Sequence, residues 1–381
     1  MKMAKKFTIV VISFLVITAS FGQQIINGSI MHDGIEREYI LYVPASYTSD
    51  AAAPLVFNFH GYTSNASEQM LYGDFRSIAD TAGFFVVHPM GLPDTTGQPH
   101  WNVGFGGTDV DDLGFTSALL DTLLFNYNIN EEKVYSTGMS NGGFMSYYLA
   151  CHLSDRFAAI ASVTGTMTTE MINGCMATHP MPIMEIHGTA DYTVPYNGME
   201  WMESIPNVLN HWVNFNNCNL TPTVTDVPDI NTTDGSTVEH YLYSNGDNGV
   251  VVEHYKVIGG GHTWPGTAYN MGGTNYDIDA SVKIWQFFAQ YDINGIINPT
   301  ALDDQLASKE LKVYPNPAST HIYVETEHSI TKTYQVMNVQ GSVVLQGVFT
   351  GSVASLSIED LSSGLYILRL GTDAFKFLKQ N

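Results

Sequence analysis

The chain has 381 residues, 44% of them hydrophobic, which is enough for one large folded domain and a smaller one. Its formal net charge of −22 repels polyanions, which argues against nucleic acid as a partner and disfavours a heavily anionic polysaccharide. Three cysteines are too few for a disulfide scaffold, and a chain this long does not need one.

The N-terminus reads as a secretory signal. Lys2, Lys5 and Lys6 form a basic start, and Phe7 to Thr18 is an apolar run. Ser20-Phe21-Gly22 puts small residues three before and one before a cut ahead of Gln23, so the signal covers residues 1–22. The run is short for a spanning helix and no second one follows, so no membrane span is expected after its removal. In an exported chain, three cysteines suggest one bridge and one free thiol. Cys151 and Cys175 bracket one βα unit and are the expected pair.

Next, Gln24 to Gly34 and Arg37 to Pro44 read as two strands joined by an Asp33-Gly34 turn. Pro54 to Gly61 is an almost continuous apolar run, as in a strand buried on both faces. Ser67 to Thr81 has helical spacing, and Phe84 to Pro89 is another buried strand. Asp111 to Tyr127 is an amphipathic helix with acidic residues in its first turn. Val134 to Thr137 is a strand and Phe144 to Leu153 a helix. Phe157 to Val163 and Pro182 to His187 are short apolar strands, with loop at Gly165 to His179. Asn219 to Ser236 reads as exposed loop. Val238 to Tyr243 and Val250 to Ile258 are the last strands, and Ala280 to Tyr291 is a closing helix. Short buried strands alternating with helices predict an α/β fold, a mostly parallel sheet covered on both faces.

The texture changes after residue 292. Residues 293–308 read as a linker, with Asn294-Gly295, Asn298-Pro299 and Asp303-Asp304. Short alternating strands follow: His321 to Glu325, Thr333 to Val339, Val343 to Val348, Ala354 to Ile358 and Leu365 to Leu370, with a turn at Gln340-Gly341. The expected organisation is therefore a large α/β domain over 23–292 and a small all-β sandwich over 309–381.

Chemistry concentrates in the first domain. Gly138-Met139-Ser140-Asn141-Gly142 sits between a strand and a helix, the context of a nucleophile elbow. A turn that tight tolerates only small residues on either side of the serine. A serine hydroxyl needs a base to take its proton, and the base needs an orienting carboxylate. In this fold the chain order is serine, acid, histidine. Asp191 lies just past the strand ending at His187, whereas Glu185 is inside that strand. His262 follows the last strand in Gly259-Gly260-Gly261-His262. His60, His88 and His187 also follow strands but precede Asp191. The oxyanion donors expected are the backbone N–H groups of Asn141 and of Tyr62, after His60-Gly61. Trp101 and Trp264 are candidates for a substrate-facing aromatic wall, with core packing the alternative. Asp111-Asp112 reads as helix-start chemistry rather than a metal site. No zinc, calcium-loop or nucleotide-binding pattern stands out.

Four segments together carry a resemblance. They are Gly138 to Gly143, Asp111 to Phe115, His187 to Asp191 with Val194-Pro195-Tyr196, and Gly260 to Gly266. Over about residues 25 to 291 the chain resembles secreted α/β-hydrolases of the polyhydroxybutyrate depolymerase and feruloyl/acetylxylan esterase group, akin to carbohydrate esterase family 1. The resemblance implies carboxylic ester hydrolysis through an acyl-enzyme, without metal or organic cofactor. It also implies that Cys218 has lost a partner, because Tyr243-Ser244-Asn245 stands where many relatives carry another cysteine. The tail, with Leu311 to Ala318 and Gly364 to Ile367, is similar to the C-terminal sorting domain of type IX secretion. That resemblance implies export across the inner membrane by the signal and then across the outer membrane of a Gram-negative bacterium by this domain. The domain is then either removed or used to attach the protein to the outer surface.

The function expected is a secreted serine esterase acting on feruloyl or acetyl esters of plant polysaccharide. An extracellular polyester depolymerase is the alternative. A glycan-binding protein that kept the fold, and a peptidase, are further rivals.

Overall fold

The computed structural model describes residues 23–297 except 106 and 270, and residues 312–380 except 316, 317, 339–342, 371 and 372. The expected signal and the Gln340-Gly341 turn lie outside the described residues. Strands β1 (Gln24–His32) and β2 (Ile35–Val43) pair antiparallel through Asp33 and Gly34. Both turn residues have positive φ, 50° and 77°, which suits Asp-Gly to a two-residue hairpin.

The elements that follow are β3 (Ala53–Phe59), α1 (Ala66–Tyr72), α2 (Arg76–Ala82), β4 (Phe85–Pro89), α3 (Asp112–Asn126), β5 (Ile129–Met139) and α4 (Asn141–His152). Then come β6 (Ala159–Val163), α5 (Thr169–Asn173), β7 (Ile183–Gly188), α6 (Ile205–Phe215), β8 (Thr223–Val227), β9 (Thr237–Tyr243), β10 (Val252–Ile258) and α7 (Ala280–Phe288). The ten strands form one sheet in the order β1-β2-β4-β3-β5-β6-β7-β10-β9-β8. From β4 to β10 neighbours run parallel, and antiparallel strands finish both edges.

Successive residues of a strand point to opposite faces, so the sheet feeds two cores. Leu55, Phe57 and Phe59 of β3 pack with Phe115 and Leu119 of α3, Phe144 of α4 and Trp212 of α6. Val56 packs on the other side with Ala79 of α2 and Ile284 and Phe287 of α7. With both faces covered, β4, β6 and β7 are buried at every residue, which is why they read as mainly apolar runs, interrupted by His88, Ser162, Glu185 and His187.

Four elements depart from expectation. The helical spacing over Ser67 to Thr81 divides into α1 and α2 at Gly73, whose carbonyl is held by Asn58 Nδ2 at 2.9 Å and which lies against the Trp264 ring. The Gly165 to His179 loop contains α5, capped by Thr168. The Asn219 to Ser236 loop contains β8, an edge strand with almost no buried residue and hence no apolar alternation to read. Helix α6 is not among the expected elements, although Ile205, Val208, Leu209, Trp212 and Val213 recur at helical spacing behind Ser204 and Pro206.

The chain divides into two compact units, Met1–Ile297 and Asn298–Asn381. The start of the expected linker belongs to the first: β11 (Tyr291–Asp292) pairs with β12 (Gly295–Ile296), and Ile293 N–H donates to Glu132 O at 2.9 Å. The second unit is antiparallel: β13 (Lys312–Tyr314), β14 (His321–Asn338), β15 (Val343–Ser357), β16 (Gly364–Leu370) and β17 (Asp373–Lys379). Strand β14 is one long strand with register shifts where two shorter ones were expected, and β15 likewise. Ile322, Val324, Val336, Phe349, Leu368 and Phe377 form its core.

Candidate active site

The site is built where β5, β7 and β10 end. Ser140 is the hinge between β5 and α4, with φ 56° and ψ −121°, a region costly for a residue with a side chain. Its N–H donates to Val163 O at 2.9 Å, and its carbonyl accepts from Gly143 and Phe144. A Cβ at Gly142 would lie 2.2 Å from Phe59 O, and one at Gly138 would lie 2.6 Å from the same atom. Glycine is therefore required on both sides because β3 runs against the elbow.

Asp191 and His262 come together because two glycine-rich loops touch. A Cβ at Gly188 would lie 2.2 Å from Gly260 O, and Ala190 N–H donates to that oxygen at 2.9 Å. His262 Nδ1 donates to Asp191 Oδ2 at 2.7 Å. The other oxygen, Oδ1, accepts from Thr193 and Val194 N–H at 2.8 and 2.9 Å. Burial by itself raises the carboxyl pKa, but the His262 hydrogen bond and charge and the Val194 N–H outweigh it, and the net shift is downward. Asp191 is thus an ionised carboxylate with its side chain sealed from solvent, while His262 keeps an exposed edge.

Ser140 and His262 line one cavity of about 370 Å³, together with Gly61, Tyr62, Leu71, Tyr72, Tyr269 and Met271. A larger groove of about 600 Å³ crosses the β1–β2 hairpin and holds none of the candidate residues. The smaller cavity is the one that contains reactive groups.

The loop that carries Tyr62 is braced from below. His60 is fully buried, and burial pushes its pKa down to about 4. It is neutral, and its two nitrogens have fixed roles: Nδ1 donates to Gly61 O at 2.7 Å and Nε2 accepts from Gly91 N–H at 2.9 Å. The Tyr62 hydroxyl donates to Asp94 Oδ2 at 2.7 Å, tying this wall to the loop at 92–108. Asn141 has a second task that its backbone role does not predict. Its side chain accepts from Trp101 N–H at 2.6 Å and donates to Trp101 O at 3.1 Å.

The two tryptophans need correction. Trp101 is 0% and Trp264 1% exposed, and neither lines the cavity. Trp101 packs edge-on against Phe59 and donates from Nε1 to His60 O at 2.9 Å. Trp264 packs against Phe75 and Gly73 and donates from Nε1 to Ser281 Oγ at 3.1 Å. Both are supports under the site. The aromatic wall is made instead by Tyr72 and Tyr269, whose ring centroids lie 6.3 Å apart. Tyr269 is in a glycine-rich loop and Tyr72 at the end of a short helix, and their sequence context carries no sign of it.

Asp111 caps α3 by accepting from Gly114 N–H at 2.8 Å. Asp112 forms a buried pair with Arg37 at 2.6 Å and accepts from Asn102 N–H at 2.7 Å, so it anchors the loop behind Trp101. The structure joins Cys151 to Cys175 and leaves Cys218 as a buried thiol whose pKa burial pushes up to about 11. A Cβ at Gly246 would lie 2.8 Å from its sulfur.

Comparison with known proteins agrees with this architecture. Residues 114–243 match the Phospholipase/Carboxylesterase family, and residues 312–380 match the secretion system C-terminal sorting domain. Feruloyl esterase B of Piromyces equi is 32% identical over 237 residues, covering 59% of this chain and 42% of that protein. A bifunctional acetylxylan esterase/xylanase of Neocallimastix patriciarum is 27% identical over 72% of this chain and 36% of its own length. Poly(3-hydroxyalkanoate) depolymerase C of Paucimonas lemoignei is 28% identical over 62% of this chain and 64% of its own. The chain thus spans less than half the length of the first two relatives. Among solved structures, an acetyl xylan esterase from Aspergillus awamori covers 66% of this chain at 16% identity, with a TM-score of 0.49. The chain therefore combines an α/β-hydrolase domain related to the phospholipase/carboxylesterase family with a secretion system C-terminal sorting domain.

Proposed function

We propose that the first domain is a secreted serine carboxylic-ester hydrolase with Ser140, His262 and Asp191 as its triad. The observation that carries this reading is the Asp191–His262 contact at the cavity that also holds Ser140. His262 takes the Ser140 proton as Oγ attacks the ester carbonyl, and Asp191 stabilises the imidazolium that forms. The N–H groups of Asn141 and Tyr62 hold the oxyanion, the first at the start of α4, where the helix dipole favours negative charge. His262 returns the proton to the leaving alcohol, and water then frees the acid from Ser140 by the same route.

The substrate proposed is a feruloyl or acetyl ester on plant polysaccharide, in line with the feruloyl and acetylxylan esterase relatives. The cavity's size and its lining by Leu71, Tyr72, Tyr269 and Met271 favour an aromatic acyl group over acetyl, which would leave most of it empty. A second reading, hydrolysis of an extracellular polyester, is supported by the depolymerase relative and by the exposed apolar rim of Leu71, Tyr269 and Met271. The C-terminal domain supports engagement of the type IX machinery, with the mature protein outside the cell or on its outer surface.

The test is a parallel assay on methyl ferulate, acetylated xylan and polyhydroxybutyrate, with Ser140→Ala as blank. Ferulate release, lost by about 10³-fold or more in Ser140→Ala, is the expected outcome. Clearing of the polyester alone selects the second reading. A folded protein silent on all three returns the reading to a glycan-binding or peptidase role.

A further inference from the structure

The Asp191 carboxylate has a second imidazole behind it. His187 Nε2 lies 3.5 Å from Asp191 Oδ2, the oxygen that also accepts from His262. The side chains of Glu185, His187 and Asp191 are all 0% exposed. His187 Nε2 faces the Val194 carbonyl at 2.8 Å, and a carbonyl can only accept, so this nitrogen carries a hydrogen. His187 Nδ1 lies 2.9 Å from Glu185 Oε1. The second Glu185 oxygen accepts from the Tyr147 hydroxyl at 2.8 Å. With both ring nitrogens facing oxygen, one proton shared by Glu185 and His187 makes a neutral pair whose positive end points at Asp191.

The remaining groups around the pair are neutral at ordinary pH. Tyr147 of α4 is buried and its pKa is pushed far up by burial and by Glu185. From β10, His254 Nδ1 donates to Glu185 O at 3.0 Å and its Nε2 accepts from the Tyr196 hydroxyl at 3.0 Å. Burial lowers the pKa of His254 to about 3. Among the described residues facing the pair, Asp191 is the ionised one. Burying a carboxyl and an imidazole side by side costs stability. An arrangement that isolated Asp191 with His262 alone would need neither. It would also leave Asp191 Oδ2 facing one imidazole rather than two.

We infer that His187, braced by Glu185, is a positioning residue of the triad: it fixes the inner side of Asp191 and weakens the hold of the Asp191–His262 couple on a proton. This rests on the triad proposed above. Two readouts on the full chain separate the two ideas: the His262 titration by NMR of histidine-labelled protein, and the pH profile of kcat/KM on a p-nitrophenyl ester. In His187→Gln the His262 midpoint and the acid limb are both expected to rise by about half a pH unit or more. Glu185→Gln, which removes the counter-charge and leaves His187 neutral, is expected to move both in the same direction. It also supplies the answer if His187→Gln does not fold. A His262 midpoint and limb that coincide with wild type, whatever happens to kcat, overturn the inference and leave His187 as packing. Absence of ester hydrolysis in the wild-type protein overturns the triad reading instead, and the NMR titration still reports on the His187 coupling.

Discussion

Gly142 sets a limit on how Ser140 can be presented. An added Cβ would meet the backbone oxygen of Phe59 at 2.2 Å and that of His60 at 2.8 Å, and neither belongs to a flexible side chain. Gly142→Ala must push β3 and α4 apart, at an expected cost of about 3 kcal/mol with loss of esterase activity. Urea unfolding of the purified protein checks this; a loss below about 1 kcal/mol would mean that the elbow relaxes freely. This constraint is local, which is why Gly-x-Ser-x-Gly between a strand and a helix is informative as a string of residues. The positions of Asp191 and His262 are legible for a related reason, since each must follow the end of a strand. The burial of Trp101 and Trp264 is not local. It depends on Asn141 clamping residue 101 and on Gly73 and Ser281 receiving the second indole. An aromatic residue near a catalytic histidine looks the same in sequence whether it faces substrate or supports the floor.

At the scale of elements, the Cys151–Cys175 bridge ties the end of α4, which begins at the nucleophile, to the segment before β7, which presents Asp191. The closed loop is short, with a separation of 24 residues, so the chain-entropy gain is about 3 kcal/mol. Replacing both cysteines by alanine is expected to lower the unfolding free energy by about that amount while the active protein keeps its kcat. An unchanged urea midpoint would show that packing of α4 alone fixes the loop. Elements with two buried faces, such as β4, β6 and β7, were readable from composition. The edge strand β8 was not, because nothing covers it and its side chains need no pattern. The break between α1 and α2 is set by the fit of Gly73 under Trp264, a residue from the far end of the domain.

For the molecule as a whole, the histidines govern how the fold responds to acid. His60, His88 and His254 are at most 1% exposed, and burial pushes their pKa values down to about 4, 3 and 3. In an unfolded chain each titrates near about 6.5. Between those values the unfolded chain binds more protons than the folded one, so stability rises with pH. Each histidine contributes a slope of about 1.4 kcal/mol per pH unit, or about 4 for the three. From about pH 6.5, where each unfolded imidazole is half protonated, to pH 5 the expected loss is about 5 kcal/mol, comparable with the whole net stability of a typical domain. The ordinary carboxylates that make up the −22 charge protonate lower, near about 4, whereas Glu185, Asp112 and Asp279, whose pKa values burial raises, offset part of the histidine effect. Asp191, whose pKa is lowered, stabilises the fold above the unfolded carboxyl value, and that contribution disappears only as pH falls further, through its folded value. His187 has the opposite sign. Burial lowers its pKa, but the Glu185 hydrogen bond and charge raise it overall, so its contribution is complete below about 6.5 and is lost as pH rises through the folded value. Stability of the hydrolase domain should therefore peak near neutrality and fall on both sides, more steeply on the acid side. Urea unfolding at pH 5, 6, 7 and 8 measures this, and a midpoint constant from pH 7 to 5 would mean that the folded protein protonates the three imidazoles without loss of stability.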